Sequence, residues 1–346
     1  MKPKRAMALL VSIASLIFIT ATASPAAEYV WKGKEDDGAV FVDGEIQFND
    51  HVKFLAALGD RRGSPGLPVT VQLNSEGGNF EEALKIAAIV QDRLVTTALA
   101  PHATCLSGCA IIFMSGRSSN SSYFMISRHM HPTAILGFHA PATSAMGGKF
   151  DSEDLQSAYS LAVDQVGKKL MDIARFRDES WNNPVMKPGL VTAMMSHSAG
   201  NFFFIDTVGK AAEFEIELDE AGGPKLLDTG SRLSACQNTT ANVKDSSIAD
   251  FAFAKGWSPS DETKKRDHQS GLTTYSFEVM RGKGRFCDVT PRKYFGAVPP
   301  RSYPIDVNRV TIGVGGGGTL EIVVPDWYFW SAETKLASLP LLNQSK

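Results

Sequence analysis

The stretch from Val69 to Gly116 constrains the fold of this chain more than any other. It opens with Val69–Leu73, a short apolar, β-branched run halted by Asn-Ser-Glu-Gly-Gly, which reads as a buried strand ending in a turn. From Phe80 the apolar residues Phe80, Ala83, Leu84, Ala87, Val90 and Leu94 recur at helical spacing, so a helix is expected over Asn79–Leu94. Val95–Leu99 is a second strand-like run. Ser107 then opens an apolar stretch, Ala110–Met114, that ends at Gly116. Strand, glycine turn, helix, strand, serine turn and helix together describe a βαβ crossover with a reactive residue at a helix start.

Two parts of this unit carry chemistry together. The Gly77-Gly78 turn can leave backbone N–H groups pointing outward, because glycine takes conformations that other residues avoid. Ser107 sits where a helix N-terminus favours negative charge. Donors aimed at a developing oxyanion beside a serine hydroxyl are the minimum apparatus for acyl transfer. The plainer alternative is a strand-end turn followed by an N-cap serine.

The stretch resembles a known family. Leu73-Asn-Ser-Glu-Gly-Gly78 is similar to the Asn-Ser-Pro-Gly-Gly turn of the Clp protease proteolytic subunit, within the ClpP/crotonase fold, and Cys105–Gly116 resembles that family's nucleophile segment. The Cys-x-Ser-x-Cys form behind a leader resembles periplasmic ClpP-like proteins. The resemblance covers roughly residues 38–220. It implies an α/β fold of repeated ββα units around a mostly parallel sheet. It further implies Ser107 as nucleophile, backbone N–H groups of Gly77 and Gly108 as the oxyanion hole, and a peptide or protein substrate.

A candidate base follows. Ala134–Phe138 reads as a strand with His139 at its end, and Phe138-His139-Ala140-Pro141 keeps the histidine and proline of the family's Ile-His-Gln-Pro. Histidine is the side chain best suited to take a serine proton near neutral pH, so Ser107 and His139 are expected within hydrogen-bond reach of each other. His129 and His131 are weaker candidates in a loop. The family's aspartate precedes an Asn-Phe pair; here Gly200 precedes Asn201-Phe202, so the third member is open between Asn201 and Asp206. Ser152–Arg175 carries apolar residues at helical spacing, and the resemblance implies subunit contacts there and hence a homo-oligomer.

Residues 1–27 read as a signal peptide: Lys2, Lys4 and Arg5, an apolar run Met7–Thr20, then small residues suited to cleavage. This predicts a periplasmic or secreted protein with no membrane span after cleavage. The remaining 320 or so residues suffice for two domains, 28–220 and a small mostly-β part over 225–346, divided at Ala221-Gly-Gly-Pro224. A net charge of −2 without basic runs argues against nucleic acid. No metal-ligand spacing and no cofactor motif is present, so neither is expected. Four cysteines in an exported chain allow three disulfide connectivities. The simplest pairs are Cys236–Cys287 and Cys105–Cys109, the latter standing beside the alternative of two small buried residues. The expected function is an exported serine hydrolase of peptidase type. A non-catalytic binding or assembly protein is the alternative, and a crotonase-type acyl-CoA enzyme ranks last.

Overall fold

The computed structural model describes residues 25–34, 37–65, 67–119, 124–141, 168, 185–198, 200–243, 262–266, 271–279, 285–292, 307–314 and 319–342. Residues 1–24 of the signal peptide expected over 1–27, all of the helix expected over 152–175 except residue 168, and the glycine run 315–318 lie outside them. Pro25–Ala27 already belong to the fold: the Ala27 N–H donates to Glu45 O (2.8 Å) and the Glu45 N–H to Pro25 O (2.8 Å).

Strands Glu28–Lys34 (β1) and Asp37–Asp43 (β2) pair antiparallel. Helix Asp50–Leu58 (α1) buries Phe54 and Leu58. Asp50 is its first helical residue, with Asn49 in the cap position. The buried Asp50 carboxylate accepts from the Gln47 N–H (2.7 Å) and the Tyr29 hydroxyl (3.2 Å). Strand Val69–Asn74 (β3) lies parallel to β2, with Val69, Val71 and Leu73 inward. Helix Phe80–Asp92 (α2) starts at Asn79, whose Oδ1 accepts the Glu82 N–H at 3.0 Å. It crosses to Thr96–Leu99 (β4), parallel to β3. The βαβ unit read from the apolar spacing therefore forms.

Next come Thr104–Leu106 (β5), Gly108–Met114 (α3), Arg117–Ser119 (β6), Phe124–Ile126 (β7), Arg128–Met130 (β8), Ile135–Phe138 (β9) and Pro188–Met195 (α4). Phe203–Phe204 (β10), Val208–Glu213 (α5), Glu217–Leu218 (β11) and Thr229–Val243 (α6) follow. The last strands are Glu262–Arg266 (β12), Thr273–Val279 (β13), Arg285–Thr290 (β14), Asn308–Val314 (β15) and Thr319–Val324 (β16).

The expected ClpP/crotonase-like stack of repeated ββα units on a mostly parallel sheet, with a small mostly-β C-terminal addition, is not what the chain adopts. Its strands divide among several small sheets. One has six strands in the order β1-β2-β3-β4-β8-β11, parallel except where β1 joins. A second, β10-β9-β5, mixes both directions. β6 and β7 form an antiparallel pair, and β12 to β16 form a five-stranded sheet that is antiparallel throughout. The physical reason is the connections. A parallel pair needs a long crossover, which α1 and α2 supply between β2, β3 and β4, whereas strands joined directly to a neighbour fold back antiparallel.

One hydrophobic cluster runs through the molecule, from Val40 and Val71 to Phe277 and Val310. α6 is its bridge to the C-terminal sheet, and the Cys236–Cys287 disulfide ties α6 to β14. Asn238 Nδ2, on α6, donates to Tyr328 O (2.8 Å) and Trp330 O (2.9 Å), and Trp327, Tyr328 and Phe329 are buried. Buried Thr239 and Thr240 donate back to Ala235 O and Cys236 O, at 2.7 Å each. Such polar residues satisfy themselves along the helix and leave no apolar period to read, which is why α6 escaped the sequence analysis.

One buried cation steadies the region around the site. Arg128, on β8, donates through Nη1 to Met114 O at the end of α3 (2.9 Å) and to Val185 O (2.8 Å), and through Nε to Glu215 O (3.0 Å). A cation at a helix C-terminus is favourable, so Arg128 fixes the far end of α3. Its burial pulls the guanidinium pKa down to about 10, against the pull of Glu215.

Candidate active site: the Ser107 corner

β5 is a three-residue strand held on both sides. The Ser75 N–H donates to Thr104 O (2.7 Å) and the Leu106 N–H to Ser75 O (3.1 Å), so the end of β3 pairs with one edge. The other edge lies parallel to β9, with Leu106 opposite Gly137. The Ser107 N–H donates to Gly137 O at 3.0 Å, and there the ladder ends. Ser107 turns the chain into α3 with φ 55° and ψ −121°, a left-handed conformation that strains a residue with a side chain. Its carbonyl starts the helix, accepting from Ala110 N–H (3.0 Å) and Ile111 N–H (3.4 Å). Its hydroxyl makes no capping hydrogen bond. An ordinary N-cap serine would spend its oxygen on the helix; this one, half-buried, does not.

The glycine turn packs directly on this corner. A side-chain carbon at Gly77 would lie 2.6 Å from Leu106 O, 2.8 Å from Ser107 Cβ and 3.0 Å from Gly108 N. Gly77 has φ +100° and Gly78 φ +131°, and a side chain at Gly78 would run into Ile46 O at 2.2 Å. Both positions therefore demand glycine, for conformation and for space. The predicted residues Gly77, Ser107 and Gly108 are thus brought together.

The hydrogen bonds distribute differently from the expected oxyanion hole. The Gly77 N–H donates to Ser75 Oγ at 3.0 Å, a turn in which a serine hydroxyl caps the amide two residues on. Gly77 O accepts from the Ile46 N–H (2.7 Å). Among the described residues, the N–H groups of Gly78 and Gly108 have no partner. Ser75 in Asn-Ser-Glu-Gly-Gly was the sequence signal for this allocation.

The chain matches no family model and no curated protein.

His139 leaves β9 beside the corner, since β5 and β9 are neighbouring parallel strands, about 4.8 Å apart in such sheets. Its Nδ1 lies 2.6 Å from Ala140 O. A carbonyl only accepts, so Nδ1 carries the proton and Nε2 keeps its lone pair. The ring stands edge-on to Phe202, with centroids 4.9 Å apart at 89°. The Ala140 N–H donates to His197 O (2.7 Å), which ties this segment to the end of α4. No hydrogen bond joins Ser107 Oγ to His139 among the described residues.

The other candidates lie elsewhere. Asp206 is held by Lys210 Nζ (2.7 Å) and Lys335 Nζ (2.5 Å); burial opposes its charge, but the two lysines keep its pKa below the usual carboxylate range. Asn201 is exposed, and its backbone N–H donates to Ser198 O at 2.9 Å. Among the described residues neither is hydrogen-bonded to His139. His131 Nδ1 pairs with Thr133 Oγ1 (2.8 Å). His129 Nδ1 pairs with Asp219 Oδ1 (3.0 Å), which raises its pKa against the effect of burial. Both His129 and Asp219 line a groove of about 520 Å³ that includes none of Ser107, His139, Gly77 and Gly108.

Both predicted disulfides are present. Cys105–Cys109 has a Cα–Cα distance of 5.2 Å, encloses Ser107, and is fully buried. Among the described residues no cluster of three or more His, Cys, Asp or Glu could hold a metal, and no helix is long and apolar enough to cross a membrane.

Proposed function

We propose that this chain is an exported serine hydrolase acting on acyl bonds of a peptide or protein substrate, with Ser107 as nucleophile and His139 as base. One observation carries the reading: Ser107 sits in a left-handed conformation at a strand-to-helix corner, with its hydroxyl unspent and glycine backbone packed against it. A serine on such a turn exposes Oγ to a substrate carbonyl, and strain of this kind concentrates at reactive sites. The two disulfides support export, since such bonds persist in oxidising compartments.

In this reading Oγ attacks the acyl carbonyl carbon. The lone pair on His139 Nε2 takes the hydroxyl proton and later delivers it to the leaving group. The free N–H groups of Gly108 and Gly78 receive the negative oxygen, each such donor contributing about 3 kcal/mol in comparable sites. Ala140 O takes the orienting role of the triad acid, setting the tautomer without a compensating charge. A slow enzyme is the consequence, because the imidazolium formed in the reaction lacks a carboxylate partner.

One observation favours a second reading. No carboxylate faces His139 among the described residues, as a non-catalytic binding or assembly protein would allow. A fluorophosphonate probe with peptide mapping separates the two. The hydrolase forms an adduct at Ser107 that disappears in Ser107→Ala and forms at least tenfold more slowly in His139→Ala. An unlabelled wild-type protein would leave the binding reading in its place.

A further inference from the structure

The Cys105–Cys109 disulfide stands across the Ser107 corner. Cys105 is the middle residue of β5 and Cys109 the second residue of α3, so the bond joins the strand before the turn to the helix after it. It closes a ring of five residues whose centre is Ser107. Both cysteines are 0% exposed, shielded from solvent while Ser107 between them is not.

β5 is paired on both edges and α3 is buried throughout, so the weak point of the corner is the start of α3. α3 spans only seven residues, and its cap residue contributes no side-chain hydrogen bond. A short helix of that kind is marginal by itself, and its first turn frays most readily. The most direct way for the corner to shed its strain is for Ser107 to relax to a negative φ, turning its hydroxyl onto the free amides of the first turn as an ordinary N-cap serine does. That relaxation would consume both the nucleophile and the Gly108 N–H. Gly77 blocks it from one side by contact. The disulfide opposes it covalently, because swinging the start of α3 away from β5 requires Cys105 and Cys109 to separate.

We infer that Cys105 and Cys109 are positioning residues for Ser107, and that the nucleophile is competent only once their disulfide has formed. This rests on the hydrolase reading given above. The bond forms by exchange with an oxidised protein disulfide. One thiolate of the pair attacks it, giving a mixed disulfide and releasing the first partner thiol. The second cysteine thiolate then displaces the other. Two electrons pass to the partner, which leaves as a dithiol, and two protons leave the cysteines. The chain is therefore inert in a reducing cytoplasm and acquires its site after export. Once formed, the buried bond is shielded from solvent, so reductants open it slowly and it behaves as a lasting clamp.

The second disulfide supplies the control. Cys236–Cys287 ties α6 to β14 and touches none of the corner residues. The test compares Cys105→Ala/Cys109→Ala with Cys236→Ala/Cys287→Ala in the mature protein. Fluorophosphonate labelling rate, thermal midpoint and amide hydrogen exchange are read on each. The clamp predicts at least a tenfold slower labelling rate for the first variant at a temperature where it is folded, with faster exchange confined to residues 104–111. The second variant melts lower yet labels at the wild-type rate. Equal labelling by wild type and the first variant, with unchanged exchange over 104–111, would overturn the inference. If the first variant does not fold, the wild-type protein is partly reduced, alkylated and mapped, and labelling must follow the fraction of intact Cys105–Cys109 alone. If wild type does not label at all, the hydrolase reading fails, and exchange over 104–111 still decides whether the bond holds the corner.

Discussion

Replacing Gly77 by alanine tests the packing at the heart of the site. The added carbon would meet three groups at 3.0 Å or less: Leu106 O, Ser107 Cβ and Gly108 N. Two of these are backbone atoms and the third is fixed to backbone, so no flexible side chain can swing away. Overpacking of this kind costs about 1–3 kcal/mol. The φ of +100° adds about 1–3 kcal/mol for a residue with a Cβ. The total, about 4 kcal/mol, is a large part of the roughly 5–15 kcal/mol of an ordinary protein. Gly200→Ala isolates the conformational part, because Gly200 has φ +85° and nothing within 4 Å of an added carbon. The expected difference between the two variants is the overpacking part, about 2 kcal/mol, or roughly 4–8 °C in thermal midpoint at ~2–4 °C per kcal/mol. Paired melts followed by circular dichroism read it directly. Labelling at Ser107 should fall in Gly77→Ala and persist in Gly200→Ala. Equal shifts in the two midpoints would refute the argument that Gly77 is required by contact with the Ser107 corner.

Three further outcomes follow from the same geometry. Ser107→Gly should abolish labelling yet raise stability by about 1 kcal/mol through relief of the φ of 55°, while Ser107→Ala abolishes labelling with the midpoint nearly unchanged; a lower midpoint for the glycine variant would contradict the strain. Asp206→Asn should label within twofold of wild type and lose at most about 1 kcal/mol from its part-exposed contacts with Lys210 and Lys335; a tenfold loss of labelling would return Asp206 to the site. Burial alone would raise Glu82, but hydrogen bonds from Lys85 and His51 lower its pKa from 4.5 to about 2. A depressed carboxylate stabilises fully above 4.5 and loses that contribution as the pH falls toward 2, so Glu82→Gln should flatten the acid limb of stability against pH over that window. Superimposable acid limbs would remove Glu82 from the account.

Much of the local structure was legible. The apolar spacing of Phe80, Ala83, Ala87 and Val90 marked α2, and Ala134–Phe138 marked β9, because burial on one face imposes a period on the residues themselves. α4 was not legible, because a proline inside a short segment hides a helix, yet Pro188 is at home in a first helical turn, where its missing N–H costs nothing. Position in the chain made Cys236–Cys287 and Cys105–Cys109 the simplest pairs, and the close approach of Cys105 and Cys109 settles against two separate buried residues there.

Residue type and local order were enough to single out the candidates: Ser107 between two cysteines, His139 at a strand end, and the glycine pair Gly77-Gly78. These are statements about residue type and local order, and such signals need no knowledge of neighbours. Other features came from long-range pairing: the strands divide among separate sheets, Ser75 Oγ holds the Gly77 amide, and Asp206 faces two lysines instead of His139. Each of these depends on which distant segment comes within about 3 Å of a donor or acceptor, and that choice is made by crossovers and strand pairing across the whole chain.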